Sequence, residues 1–271
     1  MKVILSRKGF DSSYGGQPSP ILPDGTLLSL PIPARNDVFK FSDLRYQDKS
    51  YYEIIKKLKP NSKIKKDYTC HLDPDIRRDV VKRGPSWKGL FGQMGSAQGH
   101  LNNENVGLDD IFIFFGWFKE TEYTHAGIQY IKNAPDLHVI FGYFQIGQIY
   151  KSYDDLPNLA KYHSHANKFS IDKNNCIYEA KESLSFNNRI SGCGCLKYNK
   201  TLVLTKEGEN KSHWDLPDYF KGVKISYHSI NSFKQDYFDS AKKGQEFVIE
   251  NNESIVEWTK NVIKNYDSSL L

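Results

Sequence analysis

Two apolar runs limit what this chain can fold into. Asp109-Asp110 leads into residues 111–118, and residues 138–150 follow at hairpin range. Each contains an aromatic word broken by glycine, Phe115-Gly116-Trp117-Phe118 in the first and Phe141-Gly142-Tyr143-Phe144 in the second. Runs this short and this rich in Ile, Phe, Tyr and Trp read as buried strands rather than helices. A glycine inside each predicts a bulge, or a place where another backbone or a flat ligand comes close. Such a pair is either an ordinary core hairpin or one wall of a base-sized pocket.

The 271 residues suffice for a substantial core without staples. At 39% hydrophobic and 14% aromatic residues the chain folds rather than staying disordered. A net charge of +5 suits a polyanionic partner without demanding one. Val3-Ile4-Leu5 is too short for a signal-peptide core, and no apolar run approaches a membrane span. The four cysteines, Cys70, Cys176, Cys193 and Cys195, are too few for a disulfide framework. The expectation is a reduced, cytoplasmic protein with no membrane partner.

A first strand at residues 3–5 runs into the polar, glycine-rich loop 6–16. Pro23-Asp24-Gly25 marks a turn and residues 27–32 a strand. Residues 51–58 read as a helix stopped by Pro60. Asp73-Pro74-Asp75 reads as a helix start, with Asp73 as cap and Pro74 in the first turn, for a helix running through Val81. Further strands are expected near 175–179 and 201–204. Residues 253–266 form an amphipathic helix with Ile255, Thr259, Val262, Ile263 and Tyr266 on one face. No regular βαβ alternation and no internal repeat appear. The expected class is therefore α+β, a single domain over residues 1–271, built on a bent mixed or antiparallel sheet that is partly barrel-like and flanked by helices.

Five segments carry candidate chemistry. In the first loop Gly9, Gly15 and Gly16 free the backbone for phosphate contacts, Arg7 and Lys8 supply charge, and Asp11 is the one carboxylate. The loop lacks the spacing of a Walker or dinucleotide motif. Cys70-His71-Leu72-Asp73-Pro74-Asp75 sets a thiol, an imidazole and two carboxylates in six positions, which suits acid–base work, although both acids also fit a helix start. Residues 93–100 end in Gln98-Gly99-His100, whose side chains can pair with a base edge or simply line a surface turn. His163 and His165 are two apart, as are Cys193 and Cys195. Together they offer a zinc set of unusual spacing, but the expectation is solvent-facing histidines, buried thiols and no metal. Finally, residues 56–66 hold six lysines behind Tyr51-Tyr52, a phosphate track or a solvated face.

Several of these words recur together in one family. The opening residues 2–12, Pro18-Ser19-Pro20-Ile21, residues 28–33, His71-Leu72-Asp73-Pro74-Asp75 and Phe91-Gly92-Gln93 fit it. So do Ala97-Gln98-Gly99-His100-Leu101, Phe114-Phe115-Gly116-Trp117-Phe118 and residues 141–147. Across most of its length the chain resembles the third of the nucleotide-modification-associated domain families of bacteria and their viruses. The resemblance implies a place in DNA base modification systems and brings no assigned catalytic residues. Paired histidines at 163 and 165 resemble a family feature, with Ser164 standing where the pattern has proline. The strand at 139–147 also looks like a barrel strand of PUA-like domains, some of which hold a flipped base in an aromatic pocket.

The leading expectation is an enzyme acting on a nucleobase or nucleotide in DNA hypermodification. Asp11, His71, Asp73, Asp75 and His100 would do acid–base work. Arg7, Lys8, Gly15, Gly16 and Gln98 would hold the nucleotide, and Phe115, Trp117 and Tyr143 would shape its pocket. The alternatives are a non-catalytic reader of modified bases, which would rely on stacking, and a metal-dependent nuclease for modified DNA. The partner is DNA or a nucleotide. No cofactor is indicated.

Overall fold

In a computed structural model, which describes residues 1–270, both apolar runs are long strands of one mixed sheet. Among the described residues that sheet has nine strands: β1 (Val3–Arg7), β2 (Ser19–Ile21), β3 (Leu90–Gln93), β4 (Ile111–Thr124), β5 (Gly127–Tyr130), β6 (Leu137–Tyr150), β7 (Cys176–Ala180), β8 (Cys193–Cys195) and β9 (Glu246–Ile249). The order is β9-β1-β4-β6-β7-β3. β4 and β6 pair antiparallel as its spine. On the far edge of β4, β1 and then β2 run parallel to it; on the far edge of β6 lie β8 and then β7, both antiparallel.

The first five residues of β4 are all buried, because both faces of the sheet are covered and nothing there can alternate with water. Phe112 and Phe114 pack with Phe91, and Phe115 packs on the opposite face against Trp214 and Phe247. Each such ring contributes roughly 1.5–3 kcal/mol by burial.

The two strand glycines admit protein, not ligand. A Cβ on Gly116 would lie 2.6 Å from the Lys8 carbonyl oxygen, and one on Gly142 only 2.4 Å from Ile76 and 2.9 Å from the Gly194 carbonyl. The expected bulge is present between Ile140 and Gly142.

Helix α1 (Tyr51–Leu58) begins with a reciprocal Ser50–Glu53 capping box, worth about 1 kcal/mol. It buries Tyr51, Ile54, Ile55 and Leu58 in a second core with Phe10, Phe41 and Leu72. Helix α2 (Gly95–Asn103) packs on β9, and α3 (Glu253–Tyr266) lays Ile255, Thr259, Val262 and Ile263 inward beside β1. None of the described helices is long and apolar enough to cross a membrane. All four cysteines are buried free thiols.

The mixed α+β architecture stands, with corrections. The sheet curls until Gln93 at the end of β3 reaches Glu246 at the start of β9, 2.6 Å apart, yet no backbone ladder joins those strands among the described residues. It is not a closed barrel, and a PUA-like fold finds no support.

The expected helix at 73–81 is absent. Asp75 instead pairs its backbone with Leu90, and the Asp73 carboxylate accepts the Gly92 amide rather than capping a helix. Residues 27–32 form no strand beyond a single bridge from Leu27 to Ile21. Near 201–204 a short 3-10 turn, Lys200–Leu202, precedes a single bridge from Val203 to Val139. The segment 93–100, read as either a base-contacting stretch or a surface turn, instead ends β3 at Gln93 and starts α2 at Gly95.

Candidate active site

The carboxyl end of β1 and the loop after it border an open cleft of about 630 Å³. Arg7, Lys8, Asp11, His71, Asp73, Gln93, Trp117, His138, His165, Lys168, Lys211 and Lys242 all line it. Residues from 90 positions apart meet because His71 and Asp73 lie on the segment bridging to β3, while the turn 163–166 packs over Gly92. That glycine is required: a Cβ there would stand 2.3 Å from the His165 ring.

At the cleft wall a hydrogen-bonded chain orients two imidazoles. Ser164 Oγ donates to Asp37 Oδ1 at 2.5 Å, and His71 Nδ1–H donates to Asp37 Oδ2 at 2.7 Å. Burial alone would raise the Asp37 carboxyl, but the bonds from His71 and Ser164 outweigh it and pull it down to about 2. Asn175 Nδ2 donates to the His165 carbonyl, which turns Asn175 Oδ1 toward His165 Nδ1 at 2.7 Å. The two Nε2 atoms then face each other at 3.1 Å. Burial pushes the His165 imidazole down to about 3, against the pull of Asp73.

Asp73 Oδ1 accepts the Gly92 amide at 2.7 Å and lies 3.4 Å from His163 Nε2. His163 Nδ1 accepts the His165 amide, so its proton sits on the nitrogen facing Asp73. Burial would raise the Asp73 carboxyl; the close approach of His163 and the charge of Lys8 overcome it and hold the group well below the usual range. Lys8 itself is paired with the buried Glu246 at 2.9 Å and lies over the Phe91 ring.

The expected site residues part company here. Arg7, Lys8, Asp11, His71, Asp73 and Trp117 reach the cleft. Arg7 spends its guanidinium on the Ala241 and Lys242 carbonyls, and Asp11 Oδ1 accepts the amides of Ser13 and Tyr14 within its own turn. The Gly16 amide is also spent inside that loop, and Gly15 and Gly16 lie outside the cleft lining; a Cβ on Gly15 would run into the Phe10 ring.

Asp75 is fully buried, bound by Arg83 and Tyr162. His100 bonds Ser226, and Gln98 bonds Tyr178 and Asn102. Phe115 is core, and Tyr143 is buried against Asp267 at the far side of the sheet. The lysine run is not part of the lining, and Lys59 caps the Gly16 carbonyl.

His163 and His165 are buried at 1% and 3% exposure, not solvent-facing, because the turn that carries them is packed on β3. Cys193 and Cys195 lie elsewhere, lining a different cleft. Of the 93–100 segment Gln93 does line the cleft, whereas sequence reasoning missed Asp37, Asn175, Glu246 and the cationic rim of Lys168, Lys211 and Lys242. Among the described residues none of those three lysines has a carboxylate within 4.0 Å.

His138 adds a pH signature. Its Nδ1 accepts the Trp214 indole N–H at 3.0 Å, and burial, aided by Arg7 and Lys211, pushes it down to about 3. The unfolded chain protonates this residue near 6.5, the folded one only near 3. Stability from His138 is therefore whole above about 6.5 and falls as pH drops, by up to about 1.4 kcal/mol per unit. Urea unfolding at pH 7 and pH 5 should show a shallower pH slope for His138→Gln than for the parent; equal slopes would refute the assignment.

A curled mixed sheet and a lysine-rimmed cleft lined by imidazoles and carboxylates define this α+β protein. The chain belongs to the nucleotide modification associated domain 3 family, whose model matches residues 2–250 and so includes every residue of this cleft. That membership ties it to nucleotide or DNA modification. No curated protein and no solved structure matches it.

Proposed function

We propose that the chain is an enzyme acting on a nucleobase or nucleotide in DNA modification, that it works in this cleft, and that the whole chain serves as one such domain. The observation that carries the reading is the hydrogen-bonded run Asp37–His71–His165–Asn175, half-buried at His71 and buried at His165, which presents two oriented imidazoles and Asp73 to a lysine-rimmed opening. Buried polar networks of this kind cost stability unless fully satisfied, and in a cleft they mark chemistry. His71, Asp73 and His165 act at the reacting group. Lys168, Lys211 and Lys242 meet phosphate, and Trp117, its indole N–H held by Asp136, offers the flat surface.

The test is nucleoside mass spectrometry on plain and phage-modified DNA, and on free nucleotides, after incubation with the chain and with Asp73→Asn. Asparagine keeps an acceptor for the Gly92 amide, so the fold has a partner there. A mass change lost in the variant is expected. A change that persists in Asp73→Asn refutes the residue assignment. Retained binding without any change would leave a reader of modified bases, and strand scission without a new nucleoside would leave a nuclease.

A further inference from the structure

The geometry points to a divalent transition-metal site made by His71, Asp73 and His165. An ionised Asp37 only accepts, so the His71 proton is on Nδ1; Asn175, its amide oriented by the His165 carbonyl, leaves His165 no choice but to carry its own proton on Nδ1 as well. Both Nε2 atoms therefore aim lone pairs at each other across 3.1 Å. Two acceptors at that distance repel unless a cation lies between or beside them.

Two nitrogen ligands about 2.1 Å from one ion, at right angles, stand about 3.0 Å apart. The two Nε2 atoms match that bite. Asp73 supplies the third donor: its Oδ1 is taken by Gly92, while Oδ2 makes no hydrogen bond among the described residues. Donor atoms of the three lie within 4.8 Å of one another, and all three residues face the cleft, which leaves coordination positions open to substrate.

The surroundings fit as well. Metal-bound histidines typically donate their other N–H to a carboxylate or amide oxygen, and here Asp37 and Asn175 receive those bonds. Two imidazoles and one carboxylate form the donor set of zinc and of non-haem ferrous iron, whereas magnesium and calcium take oxygen. Bound there, such an ion supplies Lewis acidity toward a phosphoryl or carbonyl oxygen, or toward a coordinated water.

The proposal concerns the same cleft as the proposed function but is measured without nucleotide, so either can fail alone. Tag-free full-length chain, stripped with a chelator and titrated with Co²⁺, is expected to bind a single ion with visible bands of nitrogen and oxygen ligation. Zn²⁺ should displace it. Asp37→Asn should weaken uptake by about 10–100-fold, as loss of an orienting partner does. His165→Ala and His71→Gln should weaken it further; His71 lies at the cleft surface, so a folded His71→Gln chain, checked by circular dichroism, gives a readout even if His165→Ala unfolds. No uptake by the parent chain, unchanged affinity in folded His71→Gln, or thiolate charge-transfer absorption would each overturn the site. So would nitrogen NMR in which the two imidazoles share a proton and ignore added metal.

Discussion

His71→Ala is expected to lower turnover of a nucleotide substrate by at least about 10²-fold, the scale of one positioned acid–base group. The loss follows whether the imidazole moves a proton or holds an ion, since both roles use Nε2. Thermal stability should fall only a few degrees, because the side chain borders the cleft and Asp37 keeps the Ser164 hydroxyl and the Val38 amide. The comparison is kcat/KM beside Tm. Turnover within a factor of about three of the parent would remove His71 from the reaction.

The second large effect falls on stability. Asp75→Ala should destabilise the fold by about 3–5 kcal/mol, because it strands a buried charge. Arg83 is only 6% exposed at its side chain and sits among the rings of Phe39, Trp87 and Tyr162, with Asp75 Oδ1 2.5 Å away. Tyr162 loses its acceptor in the same step. Replacing both charges, Asp75→Ala with Arg83→Met, should recover much of the loss. Urea midpoints decide it; a single-variant loss under about 1 kcal/mol would contradict a structural role and restore Asp75 as a functional acid.

The main strands were legible because burial on both faces writes itself as an unbroken apolar run, and residues 111–118 and 138–150 could be little else. Helices α1 and α3 were legible for the complementary reason, a one-sided apolar stripe with a cap or a stop. The 73–81 segment misled because Asp-Pro-Asp is good helix-starting chemistry locally. What overrode it was distant: the Leu90 ladder bonds and the Gly92 amide, contacts that no local window contains.

The same holds for the site. His71 and Asp73 stood out by type, but Asp37 lies in an ordinary turn 34 positions earlier and Asn175 in an ordinary loop, and only folding joins them. Ser164, standing where proline fits the family pattern, becomes intelligible as the hydroxyl that steadies Asp37. In sequence Phe115 and Tyr143 pass for pocket walls because aromatic residues look alike whether they face a ligand or a core.

The curled sheet has one seam unlike its others. Elsewhere neighbouring strands are stitched by backbone, which is indifferent to charge. Between β3 and β9 the stitch is a single carboxylate, Glu246, shared by the Gln93 amide and the Lys8 ammonium at the edge of the cleft. Under the proposed function an anionic substrate would meet the same Lys8 ammonium that Glu246 holds, so the cleft lining and the seam of the sheet share one charge.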